Sequence, residues 1–599
     1  KCRSVMSEQS QQLLSDDQVR RFIADGFVII DSALAPDFHQ RVTKQIAYAL
    51  EYELPHPGDN IVPRVPALNQ LCESAAVQGA LTSLLGEGFV FLPHRFPHNS
   101  DPLGLGTTEA STDKAGAAGT VAEADPKADS ETSSDTTDTS QITAFATQPK
   151  MARGSISASA WHQDSHASCG RTRWHRPRAA NVFYFPHATS MAMGPTRFLA
   201  GSHLYATLHD LRAEQAVMQE IPAGSVVIAH FDLVHAGSPN NSEQMRYMMK
   251  FVALRCENPT RPTWHSVEPQ WRTPSNLHTH HELPDAWSSI WRWLRGEDPS
   301  STHNDPPLDT DVAALIAAMK SPDQQQRLSS LYGLVALGAA AVEALVADLL
   351  SSAGQGRHDK SASKLPANTQ ERHLGRFFLD GQFTPEDSAI ALSAIGEPAV
   401  AALANLLDHT DPWIRINAVY ALGDSGAVVV GEHASRLAKL LDDPEPSVIR
   451  VTLDACAALG AFDEHAIERM HHFLSGTVPQ WGTDAETEPR LRMMGQMRYL
   501  SAIALSSWLS HCPAQLPHLV PQVEAALLES LQDENGYPAL IACSALERSD
   551  SVHCLRAAVK YLRGRSWDSA QNSRQIGQWT IDHGRATLAR IASLDQFKN

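Results

Sequence analysis

The sequence predicts a multidomain α+β protein, with a β-strand domain in the amino-terminal half and an all-α helical region in the carboxy-terminal half. Two apolar runs, at 224–235 and 244–254, are typical of strands. A stretch rich in Ser, Thr and Asp interrupts the chain at 99–156, and short units that end in Leu-Gly or Ile-Gly recur after residue 298. We therefore place the boundary between the two parts near residue 298.

Composition narrows the classes of protein to which the chain can belong. The 599 residues are enough for several domains, and 43% hydrophobic with 19% charged residues is ordinary for a soluble globular protein. A net charge of −18 disfavours nonspecific nucleic-acid binding, which needs a basic face. No apolar run of about 18 residues is present, so we expect no membrane span. The eight cysteines lack a C-x-x-C pair, which favours reduced thiols and a cytoplasmic location.

Two segments near the amino terminus are predicted to lack structure. Residues 1–12 have no apolar signal-peptide core, and we expect a disordered terminus or an expression remnant. Residues 99–156 contain almost no large apolar side chains and cannot bury enough surface to offset the entropy of ordering. A tolerated insertion explains this second segment more simply than a lid over a pocket or a tether to a partner, although both remain open.

The segment that follows the insertion carries a pair of metal-ligand residues. If Ser157–Asp164 is a strand, His162 and Asp164 stand two residues apart and leave its same face, while Gln163 points the other way. Two histidines and one carboxylate on one side of a metal form the facial triad of non-heme Fe(II) oxygenases, which leaves coordination positions free. A third ligand must then come from elsewhere in the chain.

His235 is the candidate third ligand, because the run from Gly224 reads as a strand that ends there. Residues 238–242 predict a turn, and 244–254 read as the returning strand. Arg246 would then lie on a strand next to His235, where its planar guanidinium can pair with a dicarboxylate cosubstrate.

A lone His-x-Asp or His-x-Glu triplet is a weak signal, since composition alone predicts about three of them in this chain. Rival triplets begin at His230, His280 and His303, but none is followed, on a separate predicted strand, by a histidine with an arginine eleven residues later. His162 and Asp164 complete that pattern with His235 and Arg246. For the rivals, a solvated loop or strand-end position is the simpler interpretation.

Two further segments resemble a known family. The stretch Met193–His203, with its Gly-Ser-His ending, resembles the phytanoyl-CoA dioxygenase family of Fe(II)- and 2-oxoglutarate-dependent oxygenases. Residues 14–30 are similar to the amino-terminal helix and first strand of that family. The resemblance covers about residues 10–295 and implies a double-stranded β-helix, a jelly-roll or cupin-like core, within a catalytic domain at 13–298.

The resemblance also implies a reaction. His162, Asp164 and His235 would bind Fe(II), and Arg246 would bind the distal carboxylate of 2-oxoglutarate. With O₂, and with ascorbate as a support in vitro, such an enzyme hydroxylates or otherwise oxidises an unactivated C–H bond and releases succinate and CO₂. Asp164 favours hydroxylation over halogenation, because related halogenases lack that carboxylate.

Evidence on the substrate is limited to one basic segment. Arg171, Arg173, Trp174 and Arg178 follow Asp164 closely and could bind an anionic group of a small-molecule or carrier-linked substrate. A solvated loop remains the simpler interpretation of the same residues.

Residues 299–599 are predicted to be a helical repeat array. Units at 334–338, 392–396, 419–423 and 457–460 share small and apolar residues before a glycine, and Asp411 and Glu445 each precede a proline. This pattern resembles a HEAT-like α-solenoid, including the repeats of bilin lyases. The array could bind a protein partner or only stabilise the catalytic domain. A non-catalytic scaffold with a vestigial oxygenase fold, or a bilin-lyase-like protein, are the alternative functions.

Overall fold

A computed structural model describes residues 11–52, 60–102, 161–164, 174–206, 211, 215–297, 311–355, 384–426, 431–460, 462–475, 493–533, 536–549 and 551–564. We call residues 11–297 the sheet region and residues 311–564 the helical region. Residues 1–10 of the predicted disordered terminus and most of the predicted insertion at 99–156 lie outside the described residues.

The sheet region begins with a capped helix that leads into the first strand. Helix α1 (Asp16–Asp25) starts at a capping box, in which the Ser15 hydroxyl accepts from the Gln18 backbone and the Gln18 side chain accepts from the Ser15 backbone. The left-handed Gly26 ends the helix, and β1 (Phe27–Asp31) follows at once. The predicted helix and strand in residues 14–30 are therefore confirmed.

Among its described residues, the sheet region contains four more α-helices and six more strands. The helices are α2 (Pro36–Glu51), α3 (Leu68–Cys72), α4 (Ala75–Leu85) and α5 (Pro284–Leu294). The strands are β2 (Val90–Ser100), β3 (Ala179–Tyr184), β4 (Arg197–Phe198), β5 (Ser225–His230), β6 (His235–Ala236) and β7 (Arg246–Leu254). Asn99 and Ser100 belong to β2, so the predicted insertion begins a little later than its residue-99 boundary.

The strands form two antiparallel sheets. The larger has the order β1-β5-β3-β7-β2, and the smaller pairs β4 with β6. In the larger sheet, Phe183 lies opposite both Val227 and Lys250, so these three side chains share one face. Phe183 and Val227 belong to a compact apolar cluster that also includes Phe198 beside β6. This face, which we call the inner face, is turned toward the smaller sheet.

Two local predictions about strands are wrong. The run 224–235 is not one strand, because β5 ends at His230 and the chain turns before β6 begins at His235. The turn is closed by the Leu233 amide, which donates to the His230 carbonyl at 2.9 Å. Within 161–164, the structure contains only an isolated bridge between His162 and His235 and no continuous strand.

The helical region contains thirteen described helices, which run mostly in pairs. They are α6 (Val312–Ala318), α7 (Gln324–Ala336), α8 (Ala339–Leu350), α9 (Asp387–Ile395), α10 (Glu397–Leu406), α11 (Pro412–Ser425), α12 (Ala434–Ala438), α13 (Pro446–Leu459), α14 (Glu464–Leu474), α15 (Met493–His511), α16 (Val520–Ser530), α17 (Gly536–Glu547) and α18 (Val552–Gly564). Among these described residues, no helix has the length and apolarity needed to cross a bilayer.

The recurring sequence units mark helix starts and close helix contacts, as predicted. Asp411 and Glu445 are the N-caps of α11 and α13, and each side chain accepts a backbone hydrogen bond. A Cβ added to Gly423 in α11 would lie 2.6 Å from the Cβ of Ala455 in α13. Only glycine permits this approach, so the small residues of the repeat set how closely neighbouring helices pack.

The helical region packs directly on the sheet region. The Trp174 ring stacks on the Tyr420 ring of α11, with 4.7 Å between their centroids. Arg178 Nε donates to the Asp424 carboxylate at 2.7 Å, and both side chains are buried. Farther along, α17 packs against β2, and the Ser507 hydroxyl of α15 donates to the Cys256 carbonyl at 3.0 Å. The two regions are therefore joined by a buried, partly charged interface.

A cluster of tryptophans lies at the same junction. The Trp264 and Trp291 rings are 5.1 Å apart, and Trp271 packs beside Trp291 at 6.0 Å. Trp293 of α5 lies between three guanidinium groups, those of Arg176 at 5.3 Å, Arg178 at 5.4 Å and Arg255 at 5.0 Å. We call Trp293 and these three arginines the junction cluster.

Candidate metal centre

Three side chains that could hold a metal ion converge at the open edge of the inner face. Nε2 of His162 lies 3.8 Å from one Asp164 oxygen, and Nε2 of His235 lies 3.7 Å from the other. One ligand atom from each of the three residues lies within 4.8 Å of the others. Two imidazoles and a carboxylate are a donor set that suits a divalent transition metal such as Fe(II).

The backbone holds the two histidines in register. The His162 amide donates to the His235 carbonyl at 3.2 Å, and the His235 amide donates back at 3.1 Å. As a result, the two imidazole centroids lie 4.3 Å apart although the residues are far apart in sequence. This single bridge, rather than the predicted strand, holds His162 beside His235.

His235 is fixed as a neutral ligand. Its Nδ1 donates to the Leu233 carbonyl at 2.8 Å, which leaves Nε2 unprotonated and facing Asp164. Burial, together with the neighbouring His162, lowers the pKa of His235 to about 3. His162 differs from His235 in burial, because nearly half of the His162 side chain is exposed. The centre is thus open to solvent on the His162 side and closed on the His235 side.

Asp164 is held by two further side chains. The Asn181 amide donates to one carboxylate oxygen at 2.6 Å, and Lys250 Nζ lies 2.7 Å from both oxygens. Burial raises the pKa of Asp164, but the nearby positive charge of Lys250 and the two histidines lower it more, so the pKa lies well below its usual range. Asp164 is therefore a carboxylate wherever the protein is folded.

Gln163 points away from the centre, as predicted, and anchors the motif to neighbouring backbone. Its side-chain amide donates to the carbonyls of Tyr205 and Asp232, each at 3.0 Å. Ser202 adds another hydrogen bond beside the centre, because its hydroxyl accepts from the Val234 amide at 3.0 Å. The Gly-Ser-His segment therefore supports the chain on either side of the metal ligands without contributing a ligand itself.

Gly194, in the same segment, is required by its surroundings. Its φ of +69° lies in the left-handed region, and an added Cβ would approach the Pro239 carbonyl oxygen to 2.0 Å. The Gly194 carbonyl accepts a hydrogen bond from Arg246 Nη1, and the Ser238 carbonyl lies 3.3 Å from the same nitrogen. The segment thus brings a backbone carbonyl against the predicted cosubstrate arginine.

Arg246 lies on the inner face of the larger sheet, four residues before Lys250 on β7. Its side chain is buried, and burial lowers its pKa to about 10, so it remains a cation at neutral pH. The predicted placement beside the His235 strand is wrong, because β7 pairs with β3 and β2 whereas His235 belongs to the smaller sheet. Arg246 lies in the interior between the two sheets, and its strand is not hydrogen-bonded to the strand of His235.

Comparison with known proteins assigns both regions. The family model for phytanoyl-CoA dioxygenase matches residues 22–248, and a model for HEAT repeats matches 386–474. Residues 22–248 are therefore similar to the phytanoyl-CoA dioxygenase family. The HEAT-repeat match confirms the predicted repeats in the helical region. No curated protein matches the sequence.

Several solved structures are similar to the phytanoyl-CoA dioxygenase domain. EctD from S. alaskensis, solved with 2-oxoglutarate and 5-hydroxyectoine, is 14% identical, with 46% of this chain and 90% of that chain covered and a TM-score of 0.29. SnoK, a non-heme alpha ketoglutarate dependent carbocyclase from nogalamycin biosynthesis, is 15% identical over 44% and 88%, with a TM-score of 0.27. CytC3 with Fe(II) and alpha-ketoglutarate is 12% identical over 41% and 79%, with a TM-score of 0.24. At these TM-scores the similarities carry no argument about this chain's activity.

Two of the four predicted substrate residues are described, and both lie elsewhere than expected. Arg171 and Arg173 fall outside the described residues. Trp174 and Arg178 are buried against α11, where they contact Tyr420 and Asp424. Burial in this interface corrects the substrate role predicted for these two side chains.

The two rival triplets that fall within the described residues form no second group of this kind. Within the described parts of the chain, His162, Asp164 and His235 are the one group of three that could hold a metal. His230 is buried beside His203, with 4.9 Å between ring centroids, and His280 is exposed. The third rival, at 303–305, lies outside the described residues.

Sequence reasoning missed two residues of the phytanoyl-CoA dioxygenase domain that contact Asp164. Asn181 lies 17 residues beyond it and Lys250 lies 86 residues beyond it. Lys250 offered one signal, since it stands four residues after Arg246 in a predicted strand and must therefore share its face. Asn181 was the one polar side chain within a run of small, apolar and aromatic residues at 179–185.

Proposed function

We propose that the protein is an Fe(II)- and 2-oxoglutarate-dependent dioxygenase that oxidises an unactivated C–H bond of a small-molecule or carrier-linked substrate. The observation that carries this proposal is the convergence of His162, Asp164 and His235 within 4.8 Å at the edge of a family-matched sheet. These residues would hold Fe(II), which with 2-oxoglutarate and O₂ supplies the oxidising chemistry and releases succinate and CO₂.

The surrounding residues would bind and orient the reactants. Arg246 offers a buried, positively charged guanidinium for the distal carboxylate of 2-oxoglutarate. Asn181 fixes the rotamer of Asp164, so that carboxylate needs little rearrangement to bind a metal. Phe183 and Phe198 pack against the His235 ring at 5.4 and 6.3 Å and keep water from that side. The exposed side of His162 leaves a route for substrate.

For the helical region, we propose a stabilising role on the dioxygenase domain. Trp174, Arg178 and Cys256 of the sheet region all contact its helices, and all three contacts are buried. A protein partner that binds HEAT repeats would have to use surface left over from this interface. A non-catalytic scaffold accounts less well for the centre, because a scaffold has no use for a buried carboxylate held by two extra side chains.

The test is succinate formation from 2-oxoglutarate in the presence of Fe(II), ascorbate and O₂. We expect the unaltered protein to form succinate slowly without added substrate, and His162→Ala to lose this activity because one metal ligand is missing. His280→Ala, at an exposed histidine outside the centre, is the matched control and should retain it. Equal succinate formation in His162→Ala and the unaltered protein, or none in either, would refute the dioxygenase proposal.

A further inference from the structure

Lys250 places a positive charge where the proposed metal would bind. Its Nζ lies 2.7 Å from each Asp164 oxygen, and its side chain is 8% exposed. The ammonium also lies 5.7 Å from the centroid of the Phe183 ring, an apolar wall that keeps it from solvent. A divalent metal bound to Asp164 would therefore lie close to a buried cation that water cannot screen.

The net positive charge around the centre would rise when a divalent metal binds and fall again when 2-oxoglutarate binds. Without metal, Asp164 and Lys250 compensate each other as a buried ion pair. A divalent ion adds two positive charges, and Arg246 on the same face of β7 contributes another. 2-Oxoglutarate brings two carboxylates, one for the region of the metal and one for Arg246. The cosubstrate is thus the group that restores the charge balance.

From this arrangement we infer that Lys250 couples metal binding to the binding of the dianionic cosubstrate. The Lys250–Asp164 ion pair weakens the binding of a divalent metal alone, and 2-oxoglutarate relieves the repulsion, so each ligand increases the affinity of the other. This inference rests on the proposed function. It makes Lys250 a positioning residue that acts through Asp164 rather than a metal ligand.

The neighbouring side chains are consistent with a pocket in which positive charges outnumber negative ones. His94 and His98 on β2 lie near both Lys250 and Asp164. Burial, followed by the positive charge of Lys250, lowers the pKa of His94 to about 3 and that of His98 well below its usual range. The inner face therefore offers neutral imidazoles and two cations, Lys250 and Arg246, against one carboxylate.

The experiment measures Mn(II) affinity by isothermal titration calorimetry in the full-length protein, with and without 2-oxoglutarate. For Lys250→Met, which keeps the length of the side chain and removes its charge, we expect Mn(II) alone to bind roughly 100-fold more tightly, because like charges about 4 Å apart repel strongly in a protein interior. The factor by which 2-oxoglutarate increases Mn(II) affinity should be at least about fivefold smaller in Lys250→Met than in the unaltered protein.

Two controls separate charge from packing. Lys250→Arg keeps the charge and should retain most of the coupling, whereas a packing role would make both substitutions behave alike. Lys320→Met removes a lysine that pairs with Asp348 at 2.6 Å, far from the centre, and should leave both affinities unchanged. Unchanged or weaker Mn(II) binding by folded Lys250→Met, or an unchanged coupling factor, would overturn the inference even if the unaltered protein forms succinate. Failure of the unaltered protein to bind Mn(II) at all would overturn both this inference and the proposed function.

Discussion

Loss of the Asp424 charge should destabilise the whole protein, because Asp424 is the carboxylate that compensates two buried arginines at the junction. Arg178 Nε donates to one of its oxygens at 2.7 Å, and Arg176 Nη1 lies 3.4 Å from the other. The side chains of all three residues are less than a tenth exposed. Asp424→Asn keeps the shape and removes the charge, which leaves both guanidinium groups buried without compensation.

The expected magnitude follows from measurements on buried ion pairs in general. Removing one partner of such a pair lowers the free energy of unfolding by about 3–5 kcal/mol, since the remaining charge stays in a medium of low polarity. Asp408→Asn is the matched control, because its ion pair with Arg436 lies at the surface. Breaking a surface pair changes the free energy of unfolding by about 0–1 kcal/mol.

The assay is denaturation in guanidinium chloride, followed by tryptophan fluorescence and by far-ultraviolet circular dichroism. Both probes should shift to lower denaturant concentration together in Asp424→Asn, because the junction joins the sheet region to the helical region. A double-mutant cycle with Arg178→Met should give a coupling energy of about 0.5–3 kcal/mol. An Asp424→Asn protein as stable as Asp408→Asn, or a cycle with no coupling, would refute the argument from buried charge.

Three further predictions concern the support of the centre and the pH dependence of stability. Gly194→Ala should lower the free energy of unfolding by about 2 kcal/mol or more, because of the positive φ and the contact with the Pro239 carbonyl. Gly354→Ala is the control and should cost only about 1 kcal/mol, since Gly354 has a φ of +75° and nothing within 4 Å. Equal effects of the two substitutions in thermal unfolding would contradict the close contact. Asn181→Leu should weaken Mn(II) binding by roughly 10–100-fold in calorimetry, since Asp164 loses a donor that orients it, and unchanged affinity would exclude that role. Burial lowers the pKa of His511, but the hydrogen bonds that its ring makes to the Glu257 carboxylate and the Ser507 carbonyl, together with the negative charge of Glu257, raise it more, so the net shift is upward. The stabilisation from this pair should therefore be present below the ordinary histidine pKa of about 6.5 and be lost as the pH rises through the higher pKa of the folded state. Melting temperatures at pH 6 and 8 check this, because His511→Gln should lose more stability at the lower pH, and an equal loss at both values would be inconsistent with it.

The candidate metal ligands and Arg246 could be singled out from the sequence because the information is local. His162 and Asp164 are two residues apart, and Arg246 follows His235 at a short fixed interval, so a spacing rule captures them. The strand breaks could not be predicted in the same way. The run from Gly224 to His235 is largely apolar, but β5 ends at His230, whose amide donates to the Gly26 carbonyl about 200 residues away along the chain.

The partners of Asp164 and of the basic segment could not be predicted from the sequence, for the same physical reason. Arg178 looked like an anion-binding residue because its charge has no partner nearby in sequence, yet its carboxylate lies 246 residues later in α11. Lys250 likewise meets Asp164 only when β7 pairs with β3. Composition and spacing reveal which groups need a partner, but the sheet register and the packing of the helices decide which partner each one finds.

The junction cluster has a practical consequence for anyone who wishes to produce the dioxygenase domain alone. Cutting the chain after α5 would strip away Tyr420 and Asp424 and leave Trp293 with its three guanidinium neighbours open to water. An exposed apolar indole surrounded by uncompensated cations would promote aggregation and nonspecific binding to polyanions. A shortened version would need redesign of that surface, with acidic or small polar replacements, before its behaviour could be compared with that of the intact chain.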